Sequence, residues 1–282
     1  MGDRRITPAR PDLAAAHLKG KVEAANFVTG TRQQVVRGRT TLHADPDHHS
    51  MRQSELLFGE IFTVYEGKNG WSWGQAQNDS YVGYLHSACL DACTQPGHRV
   101  TALATPLLPS IDVKSVLYDM LPLGAVVKVE ARANGFAHLA GGGFVYEGHL
   151  APLADLAPDF VAVAERFRGV PYVWGGKTVA GLDCSGLIQT ALQAAGISAP
   201  RDTDMMEKAL GLPIYDPQRG DVAPEARRGD LVFWKGHMGV MLDSTRLLHA
   251  NAFHMEVFAE PLDQAVARIA KTAGPVTAIK RL

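Results

Sequence analysis

Three side chains of this 282-residue chain could together break an acyl bond: Cys184, His237 and His249. A cysteine attacks as its thiolate, so it needs a base, and the base needs a partner that orients it. Cys184 stands in Val179-Ala-Gly-Leu-Asp-Cys-Ser-Gly-Leu-Ile188, where a glycine-rich loop runs into a helical segment. Asp183 is a natural N-cap and puts Cys184 on the first helical position. There the positive end of the helix favours a thiolate, and unpaired N–H groups of the first turn could hold an oxyanion. A cysteine taken alone reads as a small buried hydrophobe. The two histidines change that reading. His237 begins a strand directly after the turn Trp234-Lys-Gly236, and His249 follows twelve residues later on the next strand. Adjacent antiparallel strands set two imidazoles side by side, so His249 can fix the tautomer of His237. A zinc site would need a third ligand and closer spacing, so no metal and no cofactor is expected. His43, His48 and His49 fall in a polar stretch that reads as loop.

These residues must be positioned by a run of helices followed by a meander of strands, which is an α+β arrangement. Pro158 opens a helix with Phe160, Val161, Ala164 and Phe167 on one face, ending near Gly169. The helix behind Cys184 carries Leu187, Ile188, Ala191, Leu192 and Ala195 on its apolar side and stops at Gly196. Thr203 caps a short helix over 204–210, closed by Gly211, and 213–224 reads as a Pro/Gly-rich loop. Strands are expected over 230–234, 237–242, 247–250 and 255–258, then a helix over 261–270 and a last strand over 276–279.

The chain ahead of this region is different. Residues 1–30 read as an arm with a short helix over 13–18 capped by Asp12. Residues 31–95 hold five short β-prone runs broken by glycine and Asn-Asp turns, the pattern of a small barrel, with Trp71 and Trp73 in its core. Residues 96–153 repeat that plan at a period of about 60 residues. The expected boundaries are therefore 1–30, 31–95, 96–153 and 154–282, with two small all-β barrels ahead of the α+β domain.

Composition bounds the rest. The chain is 46% hydrophobic and 20% charged, with net charge −1, so no global field favours nucleic acid or an anionic membrane. Cys89, Cys93 and Cys184 form no disulfide framework and suit a reducing compartment. No apolar run approaches 18 residues, and Met1-Gly-Asp-Arg-Arg-Ile6 has no apolar stretch behind it. A cytoplasmic monomer without nucleic-acid or membrane partners is expected.

Taken in order, Tyr172-Val-Trp-Gly-Gly176, Leu182-Asp-Cys-Ser-Gly-Leu187, Arg201-Asp-Thr203, Gly229-Asp-Leu-Val-Phe-Trp234, His237-Met-Gly-Val240 and Leu248-His-Ala250 resemble the NlpC/P60 family of papain-like cysteine peptidases. The two repeats in front resemble bacterial SH3 domains. The combination is similar to the subgroup that hydrolyses the γ-D-glutamyl–diamino-acid bond of murein peptides with a free N-terminal L-Ala. That resemblance implies Cys184 as nucleophile, His237 as base and His249 as orienting residue, with Asn251 in reserve should the strand register shift. It implies a Tyr172 hydroxyl beside the oxyanion. It places Tyr81, an acid that is Glu55 or Glu60, and Asp183 around the substrate amine. Ser185, Asp202 and Thr203 would line the D-glutamate pocket, and Arg201 would either meet the D-glutamate carboxylate or brace its loop. Tyr84 stands where relatives carry Trp. The competing expectations are a peptidoglycan-binding SH3 protein, a hydrolase of intact murein, and an acyltransferase or amidase on the same scaffold.

Overall fold

The computed structural model describes residues 2–215, 217 and 226–282, which form two compact units, one through Asp155 and one from Leu156. Each is taken by itself.

In the N-terminal unit, a seven-stranded antiparallel sheet runs in the spatial order Arg52–Leu57, Arg39–His43, Val82–His86, Trp71–Ala76, Ile61–Lys68, Thr31–Val35, Leu90–Asp91. Alternate residues of these strands close on a core of Val35, Leu42, Leu56, Phe62, Ala76, Tyr81 and Leu85. Trp71 and Trp73, expected in that core, are buried outside it: Trp73 packs with Leu13 and Val82, and Trp71 lies against the rings of His43 and His48, because alternation along their strand turns them to the opposite face from Ala76. His43, expected in a loop, is buried at the end of the Arg39–His43 strand, because pairing with Arg52 and Tyr84 holds it in the sheet. The second repeat builds three small antiparallel sheets around Val100, Leu107, Leu121, Ala125, Val127, Ala137, Leu139 and Val145.

The helix expected over 13–18 is not there. Leu13–Ala15 is instead a strand, parallel to Asn26–Val28, followed by a single 3-10 turn at Ala16–Leu18. Six residues are too few for a helix to hold without tertiary support. Asp12, the expected cap, bonds Arg10 through both carboxylate oxygens. Arg10 also lies over the Trp73 ring at 4.4 Å, and Leu13 packs with Trp73 and Val82. The arm's fold is thus set by what it touches.

The C-terminal unit centres on a six-stranded antiparallel sheet in the order Leu212–Tyr215, Ala278–Arg281, Leu231–Trp234, His237–Met241, Arg246–Asn251, Glu256–Pro261. Among the described residues four α-helices accompany it: α1 (Phe160–Glu165), α2 (Cys184–Ala194), α3 (Thr203–Ala209) and α4 (Leu262–Ile269). Val232, Trp234, Met241, Leu247 and Ile279 pack against Ala265 and Ile269 of α4. The alternate residues Leu231, Phe233, Met238, Val240, Leu248 and Ala250 are fully buried, with α2 packed on the same central strands. A sheet covered on both faces loses the polar alternation of a half-exposed one. That is why Leu231–Trp234 reads as one apolar run.

Several boundaries differ from expectation. α1 starts one residue after its cap Asp159, whose carboxylate accepts from Val161 and Ala162 N–H, and it ends a turn before Gly169. α3 begins at Thr203 with Asp202 as its N-cap, and Leu210 has already left the helix. Residues 213–215, expected in a loop, belong to an edge strand, Leu212–Tyr215, paired with Ala278–Arg281, where Pro213 is tolerated. The rest of the expected 213–224 loop, apart from Pro217, lies outside the described residues. Among the described residues no helix is long and apolar enough to cross a membrane.

Candidate active site

The Asp183 carboxylate caps α2 by accepting from the Gly186 N–H at 2.6 Å through Oδ1. Its Oδ2 accepts from the Gly175 N–H at 2.7 Å. Arg201, almost completely buried, forks onto both oxygens at 3.0 and 2.7 Å and donates to Ser185 Oγ at 2.8 Å. Gly186 is forced by packing: a Cβ there would stand 2.1 Å from the Gly176 carbonyl oxygen. The glycine loop is therefore tied to the helix start, and Cys184 is held on the first helical position, 6% exposed. Of the two roles open to Arg201, the structure has the brace. With five donors already on its oxygens, Asp183 has no lone pair left for a substrate ammonium.

The Cys184 thiol lies 3.7 Å from the Thr203 hydroxyl and beside the Met238 backbone N–H, on the strand that His237 begins. Its hydrogen-bond partners are thus the Thr203 hydroxyl and the Met238 N–H. Burial pushes the thiol up to about 11, with the Asp183 charge adding to it, against smaller pulls from Thr203, Met238 and Arg201. The thiolate expected from the helix terminus is therefore not the resting form, because desolvation outweighs the dipole. Tyr172, in the loop bonded to Met255 O at 2.8 Å, is pushed above its ordinary value by burial and then by the charges of Cys184 and Asp183. It stays an O–H donor, within electrostatic reach of Cys184.

His237 and His249 meet as the sheet geometry requires. Val240 pairs with Leu248 and Met241 with Leu247, which sets His237 and His249 diagonally on one face. His237 Nε2 is 2.8 Å from His249 Nδ1, and His249 Nε2 is 2.7 Å from Glu260 Oε1. Burial pushes His237 well below the ordinary imidazole range, reinforced by His249 and Arg268 and opposed by Glu260. His249 is lowered too, again by burial first. Asn251 is not the third member. Its Oδ1 accepts from the His254 backbone at 2.8 Å and lies 3.0 Å from the His254 ring.

A neutral buried thiol carries a pH signature. A thiol raised to about 11 releases its proton only at alkaline pH, so the iodoacetamide alkylation rate of Cys184 is expected to keep climbing beyond pH 9. A rate that levels off below pH 8 would show a preformed thiolate–imidazolium pair instead.

Of the remaining expected residues, Tyr81, Glu55 and Glu60 lie in the N-terminal unit. Tyr81 is part of its core. Glu55 accepts from Arg39 at 2.6 Å and Arg52 at 2.9 Å. Glu60 accepts from the Leu57 N–H at 3.0 Å and from Asn78 at 2.6 Å. In the C-terminal unit, Ser185 and Thr203 stand within hydrogen-bond reach of Asp183 or the thiol, and Asp202 precedes α3. Glu260 was missed by sequence reasoning because the strand was ended at Phe258. An acid continuing the alternation of an apolar strand was the available signal. Among the described residues no group of three or more His, Cys, Asp or Glu side chains is placed to hold a metal.

Comparison with known proteins follows this division. Residues 169–270 match the NlpC/P60 family, and residues 42–90 match the bacterial dipeptidyl-peptidase Sh3 domain. The gamma-D-glutamyl-L-lysine dipeptidyl-peptidase of Bacillus subtilis (strain 168) is 27% identical over 220 residues, covering 70% of this chain and 72% of that protein. Dipeptidyl-peptidase 6 of Lysinibacillus sphaericus is 27% identical over 255 residues, covering 82% of this chain and 91% of that one. Among solved structures, an NlpC/P60 family protein from Bacillus cereus superposes with a TM-score of 0.72 at 16% identity, covering 89% of this chain and 99% of its own, a likeness of fold.

Proposed function

Because the chain carries an NlpC/P60 domain behind a bacterial SH3 domain, we propose that it is a cysteine endopeptidase of murein peptides. Its substrate in this reading is L-Ala-γ-D-Glu-diamino acid with a free N-terminus, cut at the γ-D-glutamyl bond during peptide recycling in the cytoplasm. The observation that carries the chemistry is Cys184 at the head of α2, beside the strand whose His237 is locked to His249. Support for the bond and for the free amine comes from the relatives named as dipeptidyl-peptidases, one of them for γ-D-glutamyl-L-lysine.

The steps follow from the resting state. As the thiol attacks the γ-carbonyl, its proton passes to His237, so charge develops with the new C–S bond. The oxyanion is met by the Tyr172 hydroxyl and by the N–H groups at the start of α2, which have no helical acceptor. His237 then returns the proton to the leaving diamino-acid nitrogen. A water, deprotonated by the same imidazole, releases L-Ala-γ-D-Glu from the thioester. Thr203, which meets the sulfur, together with Ser185 and Asp202 supplies the polar lining for D-glutamate in this reading.

The test is turnover of L-Ala-γ-D-Glu-L-Lys and of its diaminopimelate analogue beside the N-acetylated peptides and intact sacculi. Free-amine peptides are expected to be cut faster by about 10–100-fold for each charge-assisted bond that the acylated peptides leave unmade. Comparable rates on all three would replace recycling by wall hydrolysis. No turnover of any, with sacculi still bound, would leave a binding protein.

A further inference from the structure

The line of hydrogen bonds from His237 does not end at the second histidine. Leu247 pairs with Glu260 and His249 with Phe258, so Glu260 is the diagonal neighbour of His249 on the same face of the sheet. Its carboxylate is buried and accepts from two sides, from His249 Nε2 at 2.7 Å and from the Arg268 guanidinium of α4. Arg268 is held in turn by the ring of Phe253, 4.4 Å from its guanidinium carbon. Room for the His249 ring comes from Gly239: a Cβ there would stand 3.0 Å from the His249 Cβ and 2.9 Å from the Leu248 carbonyl oxygen.

We propose that Glu260, anchored by Arg268, is a positioning residue that sets the tautomers of both histidines and so decides which nitrogen of His237 takes the thiol proton. A carboxylate can only accept, so His249 must carry its proton on Nε2. His249 Nδ1 is then an acceptor, and His237 must donate to it from Nε2. That leaves the lone pair on His237 Nδ1. When the Cys184 proton arrives there, the imidazolium keeps its Nε2–H bond to His249, and the negative charge of Glu260 lies one ring beyond. The groups facing this carboxylate are His249 on the neighbouring strand, Arg268 on α4, and His254, which stacks on Phe258 at 4.0 Å. His254 and Arg268 would disfavour a charge on His249, and Glu260 favours it.

This inference rests on the peptidase reading for its kinetic arm only. The decisive variant is Glu260→Gln, equal in shape but able to turn an NH2 toward His249 and so select the opposite tautomer along the chain. In the full-length protein, 15N shifts of the histidine rings are expected to show Nε2–H for both His237 and His249 in the wild type, with Nδ1–H forms appearing in Glu260→Gln. On L-Ala-γ-D-Glu-L-Lys, kcat is expected to fall about 10–100-fold with KM unchanged, the range seen when a partner behind a working imidazole is lost. The acid limb of kcat/KM should move to lower pH, because the charge favouring imidazolium is gone. Arg268→Met keeps the acceptor, so both tautomers should stay Nε2–H with a smaller loss of kcat. An Nδ1–H His249 in the wild type would overturn the proposal even if Glu260→Gln does not fold. So would a Glu260→Gln protein with unchanged tautomers, kcat and pH profile and only a shifted Tm. Wild-type protein that turns over no substrate but shows both Nε2–H tautomers would count against the peptidase reading and not against this one.

Discussion

Cys184→Ala is expected to lower turnover of L-Ala-γ-D-Glu-L-Lys by at least about three to four decades, the scale of losing a nucleophile while the rest of the site survives. The side chain removed is one sulfur, 6% exposed, whose partners are the Thr203 hydroxyl and the Met238 backbone N–H. The fold should therefore be untouched, and Tm is the control. His237→Ala should cost nearly as much, because burial and Asp183 keep the thiol protonated up to about 11 and His237 is the base assigned to take its proton. The double variant should be hardly worse than either single one, since the two groups act as a unit. Additive losses in kcat/KM would mean that His237 serves some step other than activating Cys184. His249→Ala should lose less, because the sheet still holds His237 in place.

A second large effect is expected on stability. Arg201→Met removes the cation that forks onto Asp183 and leaves a buried carboxylate with only backbone and hydroxyl donors. Breaking a buried pair from one side destabilises by about 3–5 kcal/mol, which is a large share of the roughly 5–15 kcal/mol that holds a domain together. The measurement is the denaturant midpoint of the C-terminal unit, followed through hydrogen exchange of the α2 amides. Asp183→Asn combined with Arg201→Met should recover part of the loss, because no unpaired charge then remains. A single variant as stable as wild type would mean that water reaches Asp183 and that the brace is dispensable. A folded Arg201→Met should also be slow, since Asp183 ties the helix start to the Gly175–Gly176 loop through the Gly175 and Gly186 N–H groups.

Much of this site can be read before any fold is known. An Asp before a Cys before an apolar 3.6-residue period is a helix start, and the structure caps α2 through Asp183. A histidine after a tight turn, with another twelve residues on, is a pair on adjacent strands, and the two rings meet at 2.8 Å. These signals are local: caps, turns and periods act over a few residues and are written in order along the chain. The same locality explains the failures. Residues 13–18 have a helical composition, yet a three-residue pairing with Asn26–Val28 and contact with Trp73 decide otherwise. Leu212–Tyr215 looks like loop because its strand character comes only from Ala278–Arg281, far along the chain.

By itself, then, the sequence determined that Asp183 caps a helix headed by Cys184, that His237 and His249 stand on adjacent strands, and that these three side chains could make a nucleophile with its base. Only the tertiary structure decided their protonation and their company. The thiol is neutral at rest because burial and the Asp183 charge outweigh a helix terminus. Arg201 is a brace because its guanidinium lies inside, on Asp183. Glu260 stands behind His249 because the pairing of Leu247 with Glu260 brings together residues that no local period connects. Desolvation and strand register are properties of the packed whole, and no window of a few residues contains them.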